Sequence, residues 1–243
     1  MIASMLRFAS RRMPPDARVL FGAQDDAPAR SAGIALDRPV TVLPCPFDGE
    51  PRLRTECRRI GFLGHQRPEK GIDHLVALTQ ALRQRDATLS VLVHDSGFDL
   101  EQSGAAETLR GLGAEVEIGP VTPGQWQALL QSCDILMAPD DPLSGPANHS
   151  AIVTEAVAGA IPVIVPAATG AADFVRRWNG GHETFADWTV PGIAAAVERL
   201  QGNFTAQAQR SLAAADAWQN TQGADRFAQV LLDQAAQIAA DHR

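Results

Sequence analysis

The sequence predicts an α/β fold, a parallel sheet with helices on both faces. Short β-rich apolar runs alternate with helical patterns over most of the chain, which is the sequence form of repeated βα units. The run from Leu89 to Val93 is apolar on both faces apart from Ser90, as suits a strand covered on both sides. Directly after one such strand, Ile72, Leu75, Val76, Thr79 and Leu82 recur at helical spacing, giving an amphipathic helix.

Taken in order, strands are expected near 18–22, 40–43, 59–63, 88–94, 115–118, 135–138 and 162–165. The first long helix should run over 71–84. Thr122, Pro123 and Gln125 mark another start, with an N-cap, a proline at the first helical position and a capping-box glutamine. Trp126, Leu129, Leu130 and Cys133 would be its buried stripe. After Val165 the pattern turns to helices alone, over 171–178, 191–200 and 211–218, then a last one with Phe227, Val230, Leu231 and Ile238 on one face.

Pro44, Cys45 and Pro46 precede a charged stretch without periodicity, read as a linker over 48–58. Residues 1–47 hold at most two strands and a short helix, too little for a core of their own. The main domain is placed at 59–220 and the C-terminal helix at 221–243.

Composition narrows the function classes. With 28 acids against 21 bases the net charge is -7, which disfavours a nucleic-acid-coating surface. A mean hydropathy of -0.08 and the lack of a long uninterrupted apolar run argue against a membrane span. The start, MIASMLRFASRR, reads either as a basic amphipathic helix touching a membrane surface or as a fragment of a packed helix. Cys45, Cys57 and Cys133 form no CxxC pair, so neither a disulfide framework nor a zinc site is indicated, and a cytoplasmic location is expected. Isolated histidines lack metal-ligand spacing, and no metal is expected. GxSxG, GxxxxGK[ST] and GxGxxG are absent, which disfavours hydrolase-elbow, P-loop and dinucleotide readings.

A parallel sheet binds ligands at the carboxyl ends of its strands, so the loops there hold the candidate residues. The first, Gly64 to Gly71, sets His65, Arg67 and the sole lysine of the chain, Lys70, before a helix. It reads as an anion clamp, Lys giving a compact charge and Arg a fork, or as a solvated polar turn. The second is Gly119, Pro120 and Val121. The third runs over 139–150 and includes His149 and Ser150, the latter a natural N-cap. In the helix that follows, Glu155 lies among small apolar residues and requires a partner. The fourth contains Thr169 and Gly170.

Together these pieces resemble the nucleotide-sugar-binding half of the group 1 (family 4 type) retaining glycosyltransferases of the two-domain GT-B fold. The resemblance covers about 59–178 and rests on Gly61-Phe62-Leu63-Gly64, Pro68-Glu69-Lys70-Gly71, Val116-Glu117-Ile118-Gly119, Cys133 to Pro139, Thr154 to Val163 and Gly170 to Asp173. It implies a Rossmann-like domain, the C-terminal half of GT-B, preceded by a truncated N-terminal segment. It also implies that Lys70 and Arg67 stabilise the donor diphosphate as the catalytic pair, that Glu155 accepts from the ribose hydroxyls, and that Gly119, Pro120 and Val121 lie beside the base. Gly64, His65, His149, Ser150, Thr169 and Gly170 complete the implied donor site. Two positions depart from the family pattern: His65 stands where a basic residue is usual, and Ala147 where the first of two acids eight residues apart is expected.

The function so implied is hexose transfer from a nucleotide diphosphate sugar to an acceptor, in surface polysaccharide or glycoconjugate assembly, without cofactor. The alternative is a non-catalytic nucleotide-binding or partner-binding domain left by loss of the acceptor half, and a sugar-nucleotide epimerase is a weaker third. The expected partners are a nucleotide sugar and a separate acceptor-domain polypeptide, not nucleic acid. Peripheral contact with the inner face of a membrane stays open.

Overall fold

In the computed structural model, residues 20–23, 26–47, 49–143 and 151–240 are described. They fall into two units, one within Met1–Phe47 and Gln219–Arg243 and a larger one within Asp48–Trp218. In the first, β1 (Gly22–Ala23) and β2 (Thr41–Val42) pair in parallel across the helix α1 (Asp26–Leu36), a minimal βαβ. Thr41 Oγ1 donates to Gln234 Oε1 at 2.9 Å. Ile34 and Val42 remain exposed, at 79% and 39%.

The larger unit is built on six parallel strands: β3 (Arg59–Phe62), β4 (Ser90–Asp95), β5 (Glu115–Ile118), β6 (Ile135–Met137), β7 (Val163–Pro166) and β8 (His182–Phe185), in the order β5-β4-β3-β6-β7-β8. Ile60 of β3 pairs with Val91 on one side and Ile135 on the other. The pleat sends alternate side chains to opposite faces. Thus Ile60, Val91, Ile135 and Ile164 share a core with Leu75 and Leu78 of α2 (Ile72–Arg85), while the intervening Leu92, Leu136 and Val163 are equally buried on the reverse face. Each such aliphatic contributes about 1.5–3 kcal/mol on full burial, and the absence of polar alternation in β4 and β7 follows from this double cover.

Gly61 sits on the reverse face, where an added Cβ would overlap Cys133 Sγ and lie 3.1 Å from Leu136 Cδ2. The β4–β5 connection carries two short helices, α3 (Asp99–Gln102) and α4 (Ala105–Gly111). Next come α5 (Pro123–Ser132), α6 (Ala151–Ala158), α7 (Gly170–Arg177) and α8 (Val190–Gly202), which packs on α2. The chain ends in α9 (Phe204–Gln222) and α10 (Ala224–Ala240). The α5 start has the capping box its sequence predicts, with Thr122 and Gln125 exchanging hydrogen bonds at 3.3 and 2.9 Å. On α10, Phe227, Val230, Leu231 and Ile238 form the half-buried face.

One correction concerns β8. The sequence read only helices after Val165, yet His182–Phe185 pairs with β7 through Val163↔His182 and Pro166↔Phe185. As an edge strand it is hydrogen-bonded on one side and half-buried at three of four positions, so it needs no apolar run and shows none. Within the larger unit, 49–58 forms neither helix nor strand. Arg54 there is 3% exposed and donates to the carbonyls of Cys133, Gly159 and Ala160 at 2.7, 3.1 and 2.8 Å. Burial holds its guanidinium down to about 10. No described helix is long and apolar enough to cross a membrane.

Candidate functional site

Strands β3, β4 and β5 step outward in one direction, after which the chain returns to place β6 on the other side of β3. Such a reversal opens a crevice beyond the carboxyl ends of the two strands, since their outgoing loops diverge. A cleft of about 230 Å³ occupies this point. Its walls include Gly64, His65 and Arg67 after β3, Lys70, Asp140 after β6, Trp126 of α5 and Glu155 of α6.

The β3 loop is held by its own backbone chemistry. Gly64 has φ +116, and its carbonyl accepts from Ser96 N at 3.2 Å. Gln66 is buried and tied to β4, its N–H donating to Asp95 Oδ1 at 3.1 Å and its amide to the His94 carbonyl at 3.0 Å. Pro68–Lys70 then forms one 3-10 turn closed by Gly71 at φ +81. A Cβ on Gly71 would stand 2.8 Å from the Pro139 carbonyl oxygen, so only glycine lets this turn approach the β6 loop. The two loops are joined again where Asp141 N donates to Glu69 O at 2.8 Å.

This close approach pairs Lys70 Nζ with Asp140 Oδ2 at 2.9 Å, both side chains about a quarter exposed, at 26% and 27%. Asp140 is thereby set on the lysine. Arg67 pairs with Glu69 at 3.2 Å across a half-exposed surface. An ammonium and a guanidinium therefore flank the cleft, each with a carboxylate within reach.

Also lining the cleft, Trp126 Nε1 donates to Glu155 Oε1 at 3.1 Å. The other oxygen, Oε2, is buried and has no hydrogen-bond partner among the described residues. Burial pushes the Glu155 carboxyl above its ordinary value, and the indole hydrogen bond offsets this only in part. Behind Trp126 the buried His94 ring packs edge-on at 5.6 Å and donates through Nε2 to the Gly119 carbonyl at 3.0 Å. Trp126 was read as part of a packing stripe. An indole N–H on a half-apolar stripe requires an acceptor, and that requirement was the available signal for its place beside Glu155.

The structure thus brings Gly64, His65, Arg67, Lys70 and Glu155 to one cleft. Gly119, Pro120, Val121, Thr169 and Gly170 are not among its described lining residues. Thr169 caps α7, accepting from Ala172 N at 3.4 Å and donating to Pro166 O at 2.8 Å. His149 and Ser150 lie outside the described residues. One trio, His65, Asp95 and Asp99, gathers possible ligand atoms within 4.8 Å. The oxygens of Asp95 already accept three backbone N–H groups, of Gln66, Gly97 and Leu100, and His65 Nε2 meets Asp99 Oδ2 at 2.8 Å on the surface. The trio fastens loops to one another. Burial pushes the Cys57 and Cys133 thiols up to about 12.

Solved structures share the fold. Anabaena HepE, crystallised with UDP and glucose, superposes with a TM-score of 0.67 over 97% of this chain and 67% of its own, at 15% identity. Sucrose-phosphate synthase of Thermosynechococcus elongatus gives 0.66 over 98% of this chain and 62% of its own, also at 15% identity. The fold is that of the GT-B glycosyltransferases. TarM matches at 0.62, with 14% identity, over 88% of this chain and 42% of its own. In sequence, the UDP-N-acetylmuramoylalanine-D-glutamate ligase of Frankia casuarinae is 31% identical over 139 residues, 57% of this chain. The match spans 26% of that ligase. No protein-family model matches the chain.

Proposed function

We propose that the chain is the nucleotide-sugar-binding, C-terminal half of a retaining GT-B glycosyltransferase of group 1, moving a hexose from a nucleoside diphosphate sugar to an acceptor in surface polysaccharide or glycoconjugate assembly. The observation that carries this reading is the cleft at the strand reversal, lined by both Lys70 and the half-free carboxylate of Glu155. Neighbours of the same fold are crystallised with UDP and UDP-glucose, and the name of the ligase relative also contains a UDP-linked sugar, which makes UDP the first ligand to test.

In this reading Lys70, released from Asp140, meets the diphosphate with Arg67 beside it and stabilises the charge that develops as the sugar departs. Glu155 takes a ribose hydroxyl on Oε2 while Trp126 keeps Oε1 occupied. The acceptor is held by another domain or polypeptide.

A second reading, a nucleotide-binding domain without transfer activity, is favoured by the Lys70–Asp140 ion pair, which neutralises the cation, and by Ala147 at the position of the first acid. Calorimetric titration with UDP, GDP, ADP and their sugars tests both. Saturable binding is expected, weakened in Lys70→Ala by roughly ten- to hundredfold, the worth of a hydrogen bond to a charged group. Asp140→Asn, which frees the ammonium, should tighten it. Binding with no release of sugar from the donor, with or without added acceptor domain, selects the second reading. A folded chain that binds none of these ligands overturns both.

A further inference from the structure

We infer that the ring of Phe98, in the loop after β4, is a stacking platform for the heteroaromatic base of the bound nucleotide. The inference rests on the donor-site reading above and adds to it a residue that neither the loops nor the cleft lining singles out.

Three observations meet at this residue. Its side chain is a large apolar one left 41% exposed, although β4 ends in a well-packed core. Its backbone is left-handed, at φ +65 and ψ 11, a conformation that costs a bulky aromatic far more than a glycine. Among the described residues the other non-glycine positions with positive φ are Asp37, Ala160, Ala168 and Asn179, all small or able to bond their own backbone. The third observation is position. A Cβ added to Gly119 would lie 3.2 Å from Phe98 Cζ and 3.4 Å from Cε1, so the ring stands at the first residue of the loop after β5.

The strain is held in place from both sides. Gly97 N donates to Asp95 Oδ1 and Leu100 N to Asp95 Oδ2, each at 2.9 Å, so one buried carboxylate clamps the residues before and after Phe98. The flanking Asp99 also meets His65, on the cleft wall, at 2.8 Å. This explains the backbone but not the side chain, because glycine at 98 would satisfy the same clamp without strain. An unfavourable conformation imposed on an exposed aromatic beside a candidate cleft is the pattern of a residue kept for contact with a ligand.

The adjoining loop also has little with which to read a base edge. Gly119 N donates to Asp95 O at 2.8 Å, its carbonyl accepts from His94 Nε2 at 3.0 Å, and Pro120 has no N–H. A flat π face adds to the Pro120 carbonyl and the Val121 backbone groups a contact they cannot make, and stacking on an aromatic ring serves any base.

Phe98→Gly separates this role from a structural one. With the whole chain as host, we expect its thermal midpoint to stay level or rise, since strain is relieved, while affinity for the nucleoside diphosphate that binds wild type best falls roughly 5- to 100-fold. Affinity for inorganic pyrophosphate should not change, and Phe98→Trp should keep nucleotide binding. If wild type binds the nucleotide and Phe98→Gly binds it equally well, the stacking role is wrong and the donor site stands. A parallel loss of pyrophosphate affinity would mean that Phe98 merely shapes the loop. If the folded wild-type chain binds no nucleotide, the donor reading falls and this inference with it.

Discussion

Glu155 has one oxygen on an indole and the other on no described partner, inside a wall that disfavours its charge. Its carboxyl is raised above the ordinary 4.5 chiefly by burial. Between that value and the raised one, the folded chain therefore holds more protons than the unfolded chain, and this residue's contribution to stability is lost as pH climbs through the window. Glu155→Gln keeps an oxygen for Trp126 and removes the charge. It should raise the thermal midpoint near neutral pH and flatten its fall above the ordinary glutamate range, as a series of melts in matched buffers would show. If ribose hydroxyls bind Oε2, the same substitution weakens nucleotides and leaves pyrophosphate alone. A midpoint with the same pH slope as wild type would remove Glu155 as its source.

At the scale of elements, β3 is the strand that cannot change. It lies between β4 and β6, and Gly61 meets Cys133 and Leu136 so closely that the smallest added group has nowhere to go. Gly61→Ala should cost about 1–3 kcal/mol by overpacking, measured by urea unfolding at unchanged m-value. A cost of only a few tenths would mean that Cys133 swings aside. The α5 cap and the α2 stripe were legible because they rest on local spacing: Thr122-Pro123-Gly124-Gln125 carries its own instructions, as does the recurrence of Leu75 and Leu82. The strand β8 was not. His182–Phe185 is a strand because β7 offers it a hydrogen-bonding edge, a property of the neighbour.

For the whole molecule, protection should follow the sheet order. Amides of β4, β3, β6 and β7, paired on both sides, should exchange with solvent slowest, and those of the edge strands β5 and β8 sooner. Equal protection across all six strands by mass-detected hydrogen exchange would contradict this. The order itself decides the site. Lys70 and Glu155 are 85 positions apart, yet they share a cleft because the chain reverses its direction of winding between β5 and β6.

By itself the sequence determined the α/β class, six of the seven strand positions later than residue 40 in a recognisable form, and the loops in which Lys70 and Glu155 would sit. These follow from hydrophobic period and capping chemistry, which act over a few residues. Only the tertiary structure decided that Asp140 belongs to Lys70, that Trp126 belongs to Glu155, that Arg54 is buried on three carbonyls, and that Phe98 is held strained beside Gly119. Each of these joins residues far apart in the chain, and a distant pairing is fixed by how strands and helices pack, which no local pattern encodes.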